Sequence, residues 1–335
     1  MPPPDQRLTV FTTNDNLSAM IRIGLVIGLA LIGPVACRSL PAASRAPTEI
    51  WSIGAPGVAS AAAEQFASIA DTWIVLDSIS FRPSVLLRAR GARPENRLAV
   101  VTTFQGGRYH PEVLRAIAEA PDVVAAAAGA TANLLTVEGA EGILLDMQEM
   151  TGEDRQILAD FTRAFADSAR AHAVTQIGII IPAGDSVGYP ARALARSADF
   201  LVVKFFPEHG EGTPPGPIAS PAWLSRRLGP RAGEVGVTRI VAGLPADGIL
   251  WARDSTRRIS YTNALRLAES VGVSFTRDPV SRNLHAASTR DGWDIWISDG
   301  ETVQALIAEA RRFGVSRFAL FGVEGADPSL MKEQR

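Results

Sequence analysis

The stretch with the clearest chemistry is Ala140-Glu141-Gly142-Ile143-Leu144-Leu145-Asp146-Met147-Gln148-Glu149-Met150. An apolar run, Ile143 to Leu145, ends in polar residues, and Thr151 with Asp154 three places on reads as a capping box opening a helix. A buried parallel strand that feeds a strand-to-helix loop is where barrel and doubly wound enzymes keep their reactive groups. Strand side chains alternate, so Leu144, Asp146 and Gln148 face one way and Leu145, Met147 and Glu149 the other. One face therefore carries a carboxylate two residues from an amide. The amide can hold an oxygen by hydrogen bond, but it has no titratable proton to transfer at neutral pH. The four histidines make no metal-ligand spacing: His110, His172 and His285 are scattered, and His209 stands in a loop without a visible partner. No metal and no cofactor is implied. Gly106-Gly107 lacks the Lys-Ser/Thr continuation of a phosphate loop and reads as a turn.

The elements that must position Asp146 follow from periodicity. From Glu49 on, short β-like runs alternate with helical patterns. The strands are Glu49–Ile53, Thr72–Leu76, Arg97–Thr103, Gly139–Asp146, Gln176–Ile181, Asp199–Phe205, Arg239–Gly243 and Arg317–Phe321. Helical stretches between them include Pro111–Ala118, Val123–Leu135, Glu153–Ala171, Pro221–Leu228 and Glu301–Phe313. In the third of these, Ile157, Phe161, Phe165 and Ala169 recur every four residues, the stripe that packs a helix on a sheet. Eight strands with crossovers fit an α/β fold, a (β/α)8 barrel, which typically needs about 250 residues. The extra length, residues 249–298 after the seventh strand, reads as a small α+β insertion with a helix at Thr262–Val271 and a strand at Trp293–Ile297. Glu208 and Asp247 follow barrel strands and so reach the same mouth as Asp146. Trp251, just beyond the seventh strand, is either a sugar platform or a packing residue.

A net charge of −2 over 335 residues, with no long basic run, gives no electrostatic footprint for nucleic acid. Met20-Ile21-Arg22, the apolar run Ile23 to Ile32 and then Gly33-Pro34-Val35-Ala36-Cys37 read as an export signal, too short for a comfortable membrane span. Residues 1–19 precede that signal awkwardly, which points to translation starting at Met20. Cys37 is the only cysteine, so no internal disulfide forms. Its position resembles a lipoprotein lipobox with Pro34 in place of the usual Leu, which leaves two routes open: a lipid anchor at Cys37, or cleavage after Ala36 or in Ala42-Ala43. The organisation expected is a signal over 20–37, a linker over 38–48 and the barrel over 49–335.

Several motifs in collinear order resemble glycoside hydrolase family 18, the chitinase-like barrels, and especially its bacterial spore-germination and peptidoglycan-acting branch. Glu141-Gly142-Ile143-Leu144-Leu145-Asp146-Met147-Gln148 occupies the place of the family's fourth-strand motif Asp-Gly-x-Asp-x-Asp-x-Glu, and Asp199 to His209 resembles the sixth strand with its Met-x-Tyr-Asp ending. Gly243-Leu244-Pro245-Ala246-Asp247-Gly248, Trp296-Ile297-Ser298-Asp299 and Ala319-Leu320-Phe321 are similar to later landmarks. In that family the motif's last Glu is the general acid and the substrate's own acetamido group attacks the anomeric carbon, an exception to the two-carboxylate scheme.

The departures from that motif shape the functional expectation. Gln148 holds the acid position, Leu144 replaces the inner Asp, Phe206 the Tyr, Pro207 the Asp after it, Lys204 the Met, and Phe321 the Trp that floors the sugar site. Asp146 alone is kept, either to orient an acetamido group or to pair locally, with Lys204 as a partner. Losing a positioned general acid forfeits roughly 10²–10⁴ in rate. The resemblance thus implies an exported barrel that binds N-acetylglucosamine-containing glycan, chitin-type or peptidoglycan, through Lys204, Phe206, Trp251 and Phe321 around Asp146 and Gln148, with hydrolysis lost or strongly reduced. The alternative is a working glycosidase whose acid has moved to Glu208 or Asp247. The glycan is the expected partner, and the membrane enters only through an anchor at Cys37.

Overall fold

A computed structural model of the chain describes residues 48–54, 66–87 and 96–332. The export signal, Cys37 and all of the tether but its last residue lie outside the described residues. In chain order the first strands are β1 (Glu49–Ile53), β2 (Ser68–Leu76), β3 (Pro83–Leu87), β4 (Arg97–Thr102), β5 (Gly142–Asp146), β6 (Gln176–Pro182), β7 (Phe200–Lys204) and β8 (Ile240–Pro245). Then come β9 (Gly248–Ala252), β10 (Ser255–Ile259), β11 (Thr276–Arg277), β12 (Leu284–Ser288), β13 (Trp293–Ile297) and β14 (Arg317–Phe321). The helices are α1 (Pro111–Ile117), α2 (Pro121–Glu138), α3 (Arg155–Ala171), α4 (Ala191–Leu194), α5 (Pro221–Val235), α6 (Tyr261–Ser270), α7 (Gly300–Arg312) and α8 (Ser329–Lys332), with a 3-10 turn at Val237–Arg239.

Strands β1, β2, β4, β5, β6, β7, β8 and β14 pair in parallel and close on themselves, because β1 meets both β14 and β2. The expected (β/α)8 barrel is the observed fold, with expected strand ends within a few residues of the observed ones. The closure between β1 and β2 is short, from Trp51 paired with Ser68 to Ile53 paired with Ala70. Beyond it the antiparallel strand β3 takes the edge of β2 that β1 leaves free. The sequence reading did not include β3, an edge strand whose residues from Pro83 to Leu86 alternate between half-buried and exposed.

Strand alternation sorts the side chains as expected. Leu144, Ile180, Phe200, Val202, Val241 and Ala319 fill the barrel interior, together with Trp51, Trp73, Leu98 and Val100. Ile143, Leu145 and Met147 point outward into the layer between sheet and helices, where Phe161, Phe165 and Ala169 of α3 meet them. Two bulky aromatics, Trp51 and Phe200, pack edge to face at 5.1 Å inside the barrel. Room for them comes from Gly178 on β6, where a Cβ would lie 2.3 Å from the Phe200 ring. The capping box is half realised: Asp154 accepts from the Thr151 N–H at 2.9 Å, but it stands at the N-cap position of α3 with no side-chain cap bond to the helix and takes two hydrogen bonds from Arg115 at 2.6 and 2.7 Å instead. That guanidinium and the Thr151 bonds hold the Asp154 carboxyl below the usual carboxylate range.

The insertion after the seventh barrel strand is an antiparallel sheet ordered β10-β9-β13-β12-β11, with α6 packed on one face. Ile249, Trp251 and Trp296 on its other face join the main core.

Candidate functional site

Asp146 ends β5 at the C-terminal mouth of the barrel and is 3% exposed. Its backbone oxygen accepts from Thr102 Oγ1 at 2.9 Å, which ties β5 to β4. Its carboxylate takes a hydrogen bond from the Tyr109 hydroxyl at 2.8 Å on Oδ2 and from Gln148 Nε2 at 2.7 Å on Oδ1. Gln148 Nε2 also donates to the Ile180 carbonyl at 3.2 Å. Two acceptors fix which end of the amide points inward and engage both of its hydrogens. What Gln148 can offer a ligand is then its carbonyl oxygen, an acceptor. The amide hydrogens that the sequence left available to a leaving oxygen are engaged here by Asp146 and the Ile180 carbonyl.

The loop that carries Gln148 is pinned from outside the barrel. Tyr189 donates to the Met147 carbonyl at 3.0 Å and accepts from the Met150 N–H at 3.1 Å. Buried Arg231 of α5 in turn donates to the carbonyls of Tyr189 and Pro182 at 3.1 and 2.9 Å. Within that loop Glu149 takes a left-handed backbone, φ 63°, and is exposed, so it stays off the face of Asp146.

Across the mouth, Lys204 ends β7 with its Nζ 5.3 Å from the Phe206 ring centroid and 5.9 Å from that of Phe321. The two rings meet edge to face at 5.2 Å. Gly243 on β8 leaves space for this, since a Cβ there would lie 3.0 Å from the Phe321 ring and 3.2 Å from Lys204 Cα. Asp247, 7% exposed, is held by two hydrogen bonds from Arg258 of β10, one of them 2.7 Å, and the same guanidinium lies 5.1 Å over the Phe206 ring. Asp146, Gln148, Lys204, Phe206, Asp247 and Phe321 are thus linked around one mouth through contacts and charge.

Burial dominates the electrostatics. It pushes the Asp146 carboxyl up, against the opposing pull of Lys204, Tyr109 and Gln148. Burial pulls Lys204 down, with Arg258 adding and Asp146 and Asp247 opposing. Asp247 is pushed up to about 6 by burial and by Glu324, although Arg258 works the other way. Tyr109 rises through burial and the neighbouring Asp146 charge, so it remains a phenol and a donor.

Two candidates from the sequence stand elsewhere. Glu208 makes an ion pair at 3.8 Å with Arg226 of α5, a helix on the outside of the barrel. Trp251 is 8% exposed, donates from Nε1 to the Thr213 carbonyl at 3.2 Å and packs in the core while lining a cavity of about 330 Å³ with Trp293 and Arg253. His209 lies 3.3 Å from the Pro214 carbonyl, Gly106-Gly107 form a positive-φ turn, and no group of metal-ligating residues exists among the described residues. Tyr109 and Arg258 were missed. Tyr109 sits in the loop after the third barrel strand, a position that the convergence of such loops could have flagged. Arg258 reaches the mouth only because β10 folds back on β9 with Arg258 opposite Ile249, a register that no local motif announces.

The fold is the (β/α)8 barrel found in chitinases and in spore cortex-lytic enzymes. The structure matches chitinase from Chromobacterium violaceum ATCC 12472 with a TM-score of 0.70 at 16% identity, covering 85% of this chain and 97% of that one. It also matches the Bacillus cereus spore cortex-lytic enzyme SleL with a TM-score of 0.71 at 13% identity, over 87% of this chain and 74% of that one. A third match is a glutamate-to-glutamine mutant of class V chitinase from Nicotiana tobaccum in complex with NAG4, with a TM-score of 0.70 at 12% identity, over 86% and 97%. By sequence the chain is similar to two proteins of Bacillus subtilis (strain 168). It is 22% identical over 207 residues to the uncharacterized glycosylase YvbX, and 21% identical over 159 residues to YdhD, which is named as a sporulation-specific glycosylase. Those stretches are 58% and 46% of this chain and span 60% and 38% of the two relatives. No family model matches the chain.

Proposed function

We propose that this protein is an exported, chitinase-like barrel that binds N-acetylglucosamine-containing glycan and hydrolyses it slowly or not at all. The observation that carries the reading is Gln148, whose two amide hydrogens are engaged by Asp146 and Ile180, so the position that would deliver a proton presents an acceptor instead. Asp146 keeps acceptor capacity for an acetamido N–H, and Phe206 and Phe321 offer apolar walls for a sugar face. Support for the ligand class comes from the Nicotiana chitinase mutant, which carries glutamine for glutamate and is complexed with NAG4. Support for action outside the cytoplasm comes from the spore cortex-lytic similarity and from the signal-like Arg22-to-Cys37 segment.

The rearranged-acid glycosidase is the less favoured reading. Asp247 has a raised pKa, but both its oxygens are held by Arg258, and Glu208 pairs with Arg226 of the outer helix α5. Side-by-side titration and turnover with chitotetraose decide the matter. Binding without turnover is expected, whereas turnover lost in Asp247→Ala or Glu208→Ala overturns the binding reading. Mass spectrometry of protein from native membranes is expected to find an N terminus near Cys37 or Ala43; an intact Met1 in the cytosolic fraction refutes export.

A further inference from the structure

Of the chain's 33 Lys and Arg residues only two are lysines, Lys204 and Lys332. A guanidinium supplies positive charge everywhere else, and a guanidinium cannot give up its proton in a protein, whereas an amine can. Lys204 sits at the C-terminal end of the sixth barrel strand, the end at which barrels carry out chemistry. Its ammonium is flanked by the Phe206 and Phe321 rings, and among the described residues no oxygen accepts a hydrogen bond from it and no carboxylate lies within ion-pair distance. An amine in an apolar setting beside another cation, here Arg258 over the same Phe206 ring, is the arrangement that activates lysine as a nucleophile.

We propose that Lys204 forms a Schiff base with the open-chain aldehyde of a reducing sugar held in the mouth. The proposal takes its ligand from the glycan-binding reading and adds a covalent step to it. The ammonium first gives one proton to a neighbouring carboxylate, for which Asp146 and Asp247 are the groups whose charge reaches it. The freed lone pair attacks the aldehyde carbon, a C–N bond forms, and the carbonyl π pair moves to oxygen, which takes that proton back. The carbinolamine then passes a second nitrogen proton to its hydroxyl, and water leaves. One ammonium and one aldehyde become one iminium and one water, with no change of oxidation state. Burial of Lys204, reinforced by Arg258, favours the free amine that starts the sequence.

The test uses the natural full chain incubated at pH 7 with N-acetylglucosamine and sodium cyanoborohydride, followed by peptide mass mapping. Parallel arms use glycolaldehyde, which needs no sugar site, and chitotetraose reduced to its alditol, which binds as a glycan but has no aldehyde. Burial favours the free amine of Lys204, so Lys204 is expected to gain the reduced adduct faster than Lys332. Lys204→Arg, checked for folding by thermal melting, is expected to lose that adduct and keep the one at Lys332. Alditol binding without a Lys204 adduct from either aldehyde overturns the proposal and leaves the glycan reading standing. Labelling of Lys204 by glycolaldehyde alone, with no alditol binding, overturns the glycan reading and the sugar aldehyde with it.

Discussion

Replacing the amide by an acid at residue 148 is the sharpest perturbation the site allows. In Gln148→Glu a carboxyl oxygen takes the place of Nε2, 2.7 Å from Asp146 Oδ1. Two full charges at that spacing repel by about 6 kcal/mol at an effective dielectric of about 20. The pair therefore keeps one proton at neutral pH, as carboxylate dyads do, and the new carboxyl, protonated and donating to Asp146, reproduces a general acid beside its partner. A positioned acid contributes roughly 10²–10⁴ in rate. The gain is expected at the lower end, about 10²-fold, because Phe206 has no hydroxyl and Leu144 no charge to support the intermediate, and one missing donor of that kind costs about 2.7–4 kcal/mol. Product release from chitotetraose, followed chromatographically for the natural chain and the variant, measures the effect. A folded variant that binds chitotetraose and shows no gain refutes the proton-donor argument. So does a natural chain that already matches the variant.

Asp146→Ala removes the acceptor of both Tyr109 and Gln148, and calorimetric titration with chitotetraose is expected to show affinity falling at least about tenfold, or roughly 1.4 kcal/mol. Asp247 has a folded pKa near 6, raised from 3.8, so the native state binds a proton that the unfolded chain lacks between those values, and stability falls as pH rises through that window. Asp247→Asn is expected to flatten the slope of denaturation free energy between about pH 4 and 6.5, a contribution of about 3 kcal/mol at most. Asp154 has the opposite sign: its carboxyl is held low by Arg115, so its contribution is present above the unfolded pKa and is lost on strong acidification, a loss that Arg115→Ala should remove from the acid limb of the same titration. Gly178→Ala drives a methyl group into the Phe200 ring and is expected to cost about 1–3 kcal/mol, read as a lowered melting temperature.

The barrel was legible in the sequence because parallel strands buried on both faces must be short and apolar, and the helices between them must carry a stripe that packs on the sheet. Ile143 to Leu145, the Phe161 and Phe165 stripe, and the coincident bounds of Glu49–Ile53 and Arg317–Phe321 all follow from that constraint. Alternation along β5 likewise puts Asp146 and Gln148 on one side, since side-chain period on a strand depends on the backbone alone. What each polar group does there is a tertiary matter. That Gln148 turns its amide hydrogens inward depends on where the Ile180 carbonyl falls on the neighbouring strand. That Glu208 turns to Arg226 and Asp247 to Arg258 depends on a helix and a hairpin distant in the chain or folded back by register. Trp251 is packed rather than laid open because β9 turns it to the face of the insertion's sheet that joins the main core, which its local sequence does not express. Local patterns encode burial and direction. Hydrogen-bond partners and the charge on a buried group depend on which strands and loops meet, and folding alone decides that.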